Sequence, residues 1–131
     1  MVNAKNITLQ VNWVPSEKCL ADPISRWERD RGDYTLDPLL FHYIKNFFKD
    51  FVTLKTDLFA SPGNKKLDQF VSRWAHWEAV AVDALQCPLD NLGDLYANPP
   101  WSVIDKFLTR LKTFPNVKIL MVLPYWYSAI W

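Results

Sequence analysis

The sequence predicts an α/β domain built on a mainly parallel sheet, and three observations support that class. The chain has 131 residues, the length of one domain with room for a short appendage. Half of its residues are hydrophobic and 22% are charged, an ordinary balance for a globular protein. Short apolar runs typical of strands alternate with segments of helical periodicity. Because such alternation favours right-handed crossovers between neighbouring strands, we expect a mainly parallel sheet.

Residues 1–31 form the first predicted segment, a strand followed by a short helix. Residues 7–14 alternate apolar and polar side chains, as a half-buried strand does. Asp22 and Pro23 have the form of an N-cap and the first residue of a helix that ends near Arg29. A charged run that contains Gly32 then marks the boundary. The strand has no partner in its own segment, so we expect it to pair with the second segment's sheet or with another copy of the chain.

Residues 32–131 form the second segment, which contains the sheet. Asp37 and Pro38 predict the cap and first residue of a helix. The apolar face of this helix is formed by Leu40, Phe41, Ile44, Phe47 and Phe48. Strands are predicted at residues 51–57, 70–73, 79–83, 95–97 and 117–123. Two of them, 79–83 and 117–123, are nearly continuous apolar runs, which indicates strands buried on both faces.

A second helix is predicted before the last strand, with Ser102 as its cap. Its inward positions are Ile104, Phe107, Leu108 and Leu111, whereas Lys106 and Arg110 face solvent. Four basic residues leave two interpretations open. They are solvated surface residues, or they share one side of the sheet and contact the phosphates of DNA or of an RNA–DNA hybrid. These residues are Lys65, Lys66, Lys106 and Arg110.

Polar residues close three of the predicted strands. Asp57 ends one run, Asp83 ends the next apolar run, and Asn98 follows the strand at 95–97. In open parallel sheets, ligands bind beyond the carboxyl ends of the strands. We therefore expect these three residues to gather at one edge of the sheet.

The tetrapeptide Asn98-Pro99-Pro100-Trp101 has residue types that suit chemistry on an aromatic amine. Such an amine is a poor nucleophile, because its lone pair is delocalised into the ring. The Asn98 side-chain oxygen and the Pro99 carbonyl can accept hydrogen bonds from its two N–H groups and aim the lone pair at an electrophilic methyl group. Consecutive prolines fix the backbone, and Trp101 offers a face on which an extruded base can stack. The alternative is a proline-rich turn that carries a core tryptophan.

Residues from about 34 to 131 resemble the phage-type Dam adenine methyltransferases, because a series of motifs follows the same order. The motifs are Asp37-Pro38, Asp57-Leu58-Phe59-Ala60, Val82-Asp83-Ala84-Leu85 and Ala97-Asn98-Pro99-Pro100-Trp101. The first segment resembles the end of a gypsy-like RNase H domain in Trp13-Val14-Pro15-Ser16 and in residues 20–26. RNase H followed directly by a Dam-like domain is the arrangement in DIRS-type retroelements. The chain therefore resembles a fragment of a retroelement polyprotein, with an RNase H remnant at 1–31 and a truncated Rossmann-like methyltransferase domain at 32–131.

The resemblance implies specific roles. Asn98, Pro99, Pro100 and Trp101 match the amine-binding motif. Asp57 and Phe59 fall where the cofactor-binding strand ends, and Asp83 falls where a carboxylate contacts the adenosine part of S-adenosylmethionine. Asp22 matches the last carboxylate of the RNase H metal site, which would hold Mg²⁺ only in an intact RNase H domain. The fragment alone is not expected to cleave RNA, since a two-metal site needs several carboxylates.

Two function classes remain open at this point. The first is adenine methylation of nucleic acid with S-adenosylmethionine. The second is a catalytically silent module that binds nucleic acid or buttresses an upstream reverse transcriptase and RNase H. The run Phe59-Ala60-Ser61-Pro62-Gly63 has one glycine where the methyltransferase pattern is glycine-rich, which favours the second class.

Composition bears on nucleic-acid contact, metal binding and cellular location. The net charge of +1 gives no overall basic field, so any contact with nucleic acid must be local. Cys19 and Cys87 form no Cys-x-x-Cys pair, which argues against a zinc site and, without a disulfide framework, favours an intracellular protein. No apolar run has the length of a membrane span. His42 and His76 lie beside aromatic residues and are interpreted as packed or surface histidines.

Overall fold

A five-stranded, fully parallel sheet organises residues 35–49 and 53–129, the part of the chain that the computed structural model describes. The strands are β1 (Leu54–Asp57), β2 (Gln69–Ser72), β3 (Ala81–Val82), β4 (Asp94–Ala97) and β5 (Ile119–Met121). Their order across the sheet is β3-β2-β1-β4-β5, and every neighbouring pair is parallel. The predicted α/β class with a parallel sheet is therefore confirmed.

Helix α1 (Pro38–Phe47) precedes the sheet and begins as the sequence predicts. The Asp37 carboxylate accepts hydrogen bonds from the backbone N–H groups of Leu39, at 2.8 Å, and Leu40, at 3.1 Å. Pro38 follows at the first helical position, where its missing N–H costs nothing. These contacts satisfy two of the donors that a helix start leaves unpaired.

The apolar face of α1 is less buried than predicted. Phe41 is buried, but Leu40 and Phe47 are 46% and 67% exposed. The helix packs on the sheet through Phe41, with Ile44 partly buried beside it. Phe41 enters a cluster with Leu54, Tyr96 and Leu120, one residue from each of three short strands.

Helix α2 (Ile104–Leu111) links β4 to β5 and follows a 3-10 helix, Trp101–Val103. The prediction that Ser102 caps α2 is wrong, because Val103 occupies the cap position and no side chain bonds there. The 3-10 helix supplies backbone bonds instead: the N–H of Val103 donates to the Pro100 carbonyl at 3.0 Å. Ile104 and Phe107 are buried, as predicted.

Two apolar clusters lie on opposite faces of the sheet. Residues alternate along β4, so that Leu95 and Ala97 belong to the cluster around Phe107 of α2. Tyr96 belongs to the cluster around Phe41 of α1. Each helix therefore covers one face, and β4 is buried from both sides.

Two strands that the sequence predicts to be buried on both faces lie at the edges of the sheet. β3 has only two residues, and Val82 within it is 41% exposed. β5 has three residues, of which only Leu120 is buried. A continuous apolar run cannot reveal which strand is central, because that depends on the strand order of the whole sheet.

The predictions for the first segment lie outside the described residues. They include the strand at 7–14, the helix from Asp22 to about Arg29, the boundary near residue 31 and the role of Asp22. In the described ranges, no helix combines the length and the apolar character needed to cross a membrane.

Candidate functional site

The three polar residues that follow strands lie at the same edge of the sheet. Asp57 is the last residue of β1, Asp83 directly follows β3, and Asn98 directly follows β4. Because the strands are all parallel, their carboxyl ends point the same way. The chain also changes direction across the sheet between the adjacent strands β1 and β4, which is the position where open α/β sheets bind ligands. The expected gathering at one edge is confirmed.

A small cleft opens between the ends of β1 and β4. It brings Asp57, Tyr96 and Asn98 together, with Phe59 and Lys66 at its margin. Its volume of about 10 Å³ is close to the space that one water-sized group needs. The cleft can therefore hold a single polar group between the Asp57 and Asn98 side chains.

Asp57 is a buried carboxylate that orders the loop after β1. Its Oδ2 accepts the backbone N–H of Lys66 at 3.0 Å, and its Oδ1 accepts that of Phe59 at 3.4 Å. Burial raises the pKa of Asp57 to about 6, against the opposing effect of these hydrogen bonds and of the Lys66 charge. A carboxyl group that titrates this close to neutrality is typical of functional sites.

Tyr96 is a site residue that the sequence did not single out. It is 1% exposed, and its ring packs edge-on against Phe41 at 4.8 Å between centroids. Within the described residues, its hydroxyl is the one buried side-chain polar atom without a hydrogen-bond partner. Burial, followed by the nearby Asp57 charge, raises the pKa of the Tyr96 hydroxyl. A tyrosine in a buried strand beside Asn98 was the available signal, since a buried tyrosine hydroxyl usually finds a partner.

A second cavity, of about 400 Å³, lies beyond the strand ends. Phe59 lines both spaces, and Asp83 and Pro100 line the larger one. Its remaining walls come from Leu58, Ala60, Arg73, Trp74, Ala84, Leu85, Ser102 and Val103. A volume of this size lies in the range of pockets that bind small molecules.

Asp83 has an unusual backbone conformation at the wall of this cavity. Its φ of 57° lies in the left-handed region, which aspartate tolerates better than most residues because its side chain bonds locally. The Oδ1 atom accepts the N–H of Leu85 at 3.0 Å, and the Asp83 carbonyl accepts those of Gln86 and Cys87. These bonds hold the carboxylate at the start of a tight turn.

The Asn98-Pro99-Pro100-Trp101 segment runs along both spaces. Asn98 is half-buried in the small cleft, Pro99 is buried, and Pro100 lines the larger cavity. Trp101 is 62% exposed, and its ring meets Trp126 edge-on at 4.9 Å between centroids. The alternative interpretation of Trp101 as a core residue is therefore wrong.

The four basic candidates have different surroundings. Lys66 lines the small cleft, Lys65 lies 3.7 Å from the Glu78 carboxylate, and Lys106 is exposed on α2. Arg110, predicted to face solvent, is half-buried, so that prediction is wrong.

The guanidinium group of Arg110 connects α2 to the turn after β3 by hydrogen bonds. It donates to the carbonyls of Ala84, at 2.7 Å, and Cys87, at 2.5 Å. It also lies over the Phe114 ring at 4.9 Å. The group thereby links α2 to the turn that Asp83 begins, and its donors face protein carbonyls.

The arrangement offers acceptors, an exposed aromatic ring and a cavity. Among the described residues, no three His, Cys, Asp or Glu side chains come together as metal ligands. His42 bonds the Asn46 amide, and His76 accepts a hydrogen bond from the Glu78 N–H, so both have local structural roles.

Comparison of the chain with family models, with curated proteins and with solved structures found no match. The chemistry of the site must therefore be argued from its own residues.

Proposed function

We propose that the domain at residues 32–131 is a methyltransferase-like module that uses S-adenosylmethionine to methylate the exocyclic amine of adenine in DNA. The observation that supports this proposal is that two spaces with a shared lining residue lie at the carboxyl ends of the strands. Asp57 and Asn98 line the small cleft, Asp83 and Pro100 line the larger cavity, and Phe59 lines both.

The sheet topology supports a Rossmann-like fold type. The order β3-β2-β1-β4-β5 is the one found in dinucleotide-binding sheets, which bind their ligand where the order reverses. Both spaces lie at that reversal. The loop after β1 carries Phe59 and Ala60 where a glycine is usual, and Ala60 is small enough to line the cavity.

The residues of the larger cavity fit the cofactor. Phe59 and Leu85 supply apolar walls, and the Asp83 carboxylate retains capacity to accept hydrogen bonds from a ligand. Bound S-adenosylmethionine would supply an electrophilic methyl group on a sulfonium. Asp57 would mainly hold the loop after β1 in place, since both of its carboxylate oxygens already accept hydrogen bonds from backbone N–H groups of that loop.

Asn98 and Pro99 would activate the target amine. The Asn98 side-chain oxygen and the Pro99 carbonyl would accept hydrogen bonds from its two N–H groups, and the exposed Trp101 ring would stack on the extruded base. These contacts would aim the nitrogen lone pair at the methyl group that S-adenosylmethionine would supply. Water would take the proton that the methylated nitrogen loses.

A silent module is the second candidate, and one observation favours it. The loop after β1 uses its own polar groups: the N–H of Ser61 donates to the Asn64 side chain at 2.7 Å, and that of Ala60 to the Val71 carbonyl at 3.3 Å. Fewer backbone donors are left for a cofactor than a glycine-rich loop would supply. In a retroelement polyprotein such a module would support the upstream reverse transcriptase and RNase H, with Asp22 binding Mg²⁺ only in an intact RNase H domain.

The test is transfer of labelled methyl groups from S-adenosylmethionine to single-stranded DNA, duplex DNA and an RNA–DNA hybrid, with a metal chelator present. We expect label at the adenine amine, unaffected by chelator. Activity that chelator abolishes would show that the chemistry is different. Absence of transfer to every substrate, together with absence of cofactor binding, would favour the silent module.

A further inference from the structure

Helix α1 has an apolar face that the sheet does not cover. Leu39, Leu40, Tyr43 and Phe47, here called the α1 face, are between 46% and 82% exposed. Positions 39, 43 and 47 are four residues apart, so their side chains lie along one side of the helix. The Tyr43 and Phe47 rings stack at 6.2 Å between centroids. A contiguous exposed patch of large apolar side chains marks an interaction surface.

The opposite side of α1 packs on the sheet. Phe41 is buried there, and Ile44 is partly buried beside it. The helix therefore has apolar side chains on both sides, a pattern typical of a helix that is covered all round. We infer that the α1 face has a partner.

The α1 face is uncharged, which restricts the chemistry of that partner. The helix contains no Asp, Glu or Arg, and its one lysine, Lys45, lies four residues after Phe41, on the side that packs on the sheet. At the margin of the face, the Asn46 amide and the His42 ring bond each other at 2.8 Å. Nucleic acid does not fit such a face, because its phosphates are bound by Lys and Arg. A second copy of the same face does fit it.

Charges near the ends of α1 favour one orientation of two copies. Asp37 precedes the helix, whereas Lys45 and Lys49 lie near its end. Two antiparallel helices bring each acidic end beside a basic end, and their dipoles also oppose each other. A parallel pair would bring like charges together.

The area of the α1 face suits a dimer of modest affinity. Large side chains offer roughly 150–250 Å² each, so the exposed fractions of these four give roughly 500 Å² per copy. A symmetric pair would bury about 1,000 Å², which is near the lower limit for a specific interface. We therefore expect a dissociation constant in the micromolar range.

We propose that α1 is a homodimerisation helix, which packs in antiparallel orientation against α1 of a second copy of the chain. Tyr43 lies at the twofold axis of this pair, where it faces its own counterpart. An antiparallel register centred on residue 43 pairs Leu39 of one copy with Phe47 of the other, and twofold symmetry makes this contact twice. The dimer does not depend on the proposed methyl-transfer chemistry.

The experiment is sedimentation velocity of the full chain from about 1 µM to about 1 mM, which should show a monomer converting to a dimer. Tyr43→Lys places charge at the twofold axis and should weaken association by at least about tenfold. Tyr43→Phe keeps the ring and should associate as the unsubstituted chain does. Tyr127→Lys makes the same change at a tyrosine after β5 that is 95% exposed, and should leave association unchanged. Thermal melting at the lowest concentration checks that all variants are folded.

A mixture of two further variants tests the antiparallel register. Leu39→Lys and Phe47→Glu should each associate weakly when alone. In an antiparallel pair, the new ammonium group of one variant faces the new carboxylate of the other, so the mixture should form a heterodimer. A parallel pair would not bring these two groups together.

Each other outcome overturns a defined statement. A full chain that stays monomeric over the whole range would overturn the dimer and indicate that a different protein or another part of this chain covers the α1 face. Equal association of Tyr43→Lys and Tyr127→Lys would overturn the assignment of the interface to α1. Weak association of Tyr43→Lys, without heterodimer formation in the mixture, would overturn the antiparallel register.

Discussion

The amino ends and the carboxyl ends of the parallel strands, here called the amino edge and the carboxyl edge, differ in how their polar groups are paired. At the amino edge, Asp94 accepts a hydrogen bond from the Thr53 hydroxyl and lies 3.5 Å from the Lys118 ammonium group. At the carboxyl edge, the Tyr96 hydroxyl has no partner in the described part of the chain, and Asp57 is buried with a raised pKa. Since folding alone favours paired polar groups, this difference supports the proposal that a ligand binds at the carboxyl edge.

Exposed tryptophan rings are a second feature of the carboxyl edge. Trp74 and Trp101, both more than half exposed, follow the carboxyl ends of β2 and β4. The amino edge has Gly93, with φ of 75°, packed against the Lys55 side chain. A Cβ at this position would lie 2.9 Å from the Lys55 Cδ, so a larger residue there would require the Lys55 side chain to move.

The largest expected effect concerns Asp57 and pH. Its pKa of about 6, against 3.8 for the ordinary group, means that the folded state holds the proton more tightly than the unfolded state. Stability from this group is therefore present below about pH 4 and is lost as the pH rises to about 6. About two pKa units correspond to at most about 3 kcal/mol.

The asparagine in Asp57→Asn cannot ionise. The free energy of unfolding of this variant should therefore not fall as the pH rises from 4 to 6. Urea titrations of both proteins at pH 4 to 7 should show the unsubstituted chain losing up to about 3 kcal/mol relative to Asp57→Asn. Asp68→Asn, at an exposed position of the loop after β1, is the control and should follow the unsubstituted chain. If the free energies of unfolding of Asp57→Asn and the unsubstituted chain differed by a constant amount over this range, ionisation of the buried Asp57 would carry no cost at the carboxyl edge.

The next effect concerns Asn98 and catalysis. Asn98→Ala removes one acceptor from the target amine, at a cost on the order of 1–3 kcal/mol. Methyl transfer should fall by roughly ten- to a hundred-fold, with the unfolding free energy unchanged. Asn91→Ala is the control, since Asn91 is exposed in the turn before β4, at the amino edge. Equal rates in the two variants would contradict the assignment of amine activation to the carboxyl edge.

The smallest effect concerns the Tyr96 hydroxyl. Tyr96→Phe removes a buried hydroxyl that has no hydrogen-bond partner among residues 35–49 and 53–129, so the free energy of unfolding should stay the same or rise by up to about 1 kcal/mol. Tyr43→Phe, whose residue is 63% exposed on α1, should change nothing. Chemical denaturation measures both. A loss of more than about 1 kcal/mol in Tyr96→Phe would mean that the hydroxyl is bonded in the protein, like the polar groups of the amino edge.

Sequence alone predicted the features that depend on neighbouring residues. The Asp37 cap follows from residues two and three positions away, and Asp57 and Asn98 follow from apolar runs that they close. The edge positions of β3 and β5 were not predictable, because strand order depends on the complete sheet.

Long-range hydrogen bonding was equally hidden from the sequence. The Arg110 guanidinium bonds carbonyls 23 and 26 residues away, which helical periodicity cannot indicate. The unpartnered state of the Tyr96 hydroxyl likewise depends on the side chains that surround it in three dimensions. The positions of Asp57, Asp83 and Asn98 at the strand ends were therefore easier to predict than the contacts that surround them.

The proposed binding of S-adenosylmethionine at the carboxyl edge is tested most directly by mapping a bound analogue on the backbone. Amide chemical shifts of the full chain would be followed by NMR while S-adenosylhomocysteine is added. We predict that shifts change at residues 57–60, 83–85 and 98–103, which line the two spaces or adjoin them. Thr53, Gly93 and Lys118, at the amino edge, should stay unchanged. Shifts that change at the amino edge, or at neither edge, would contradict the account.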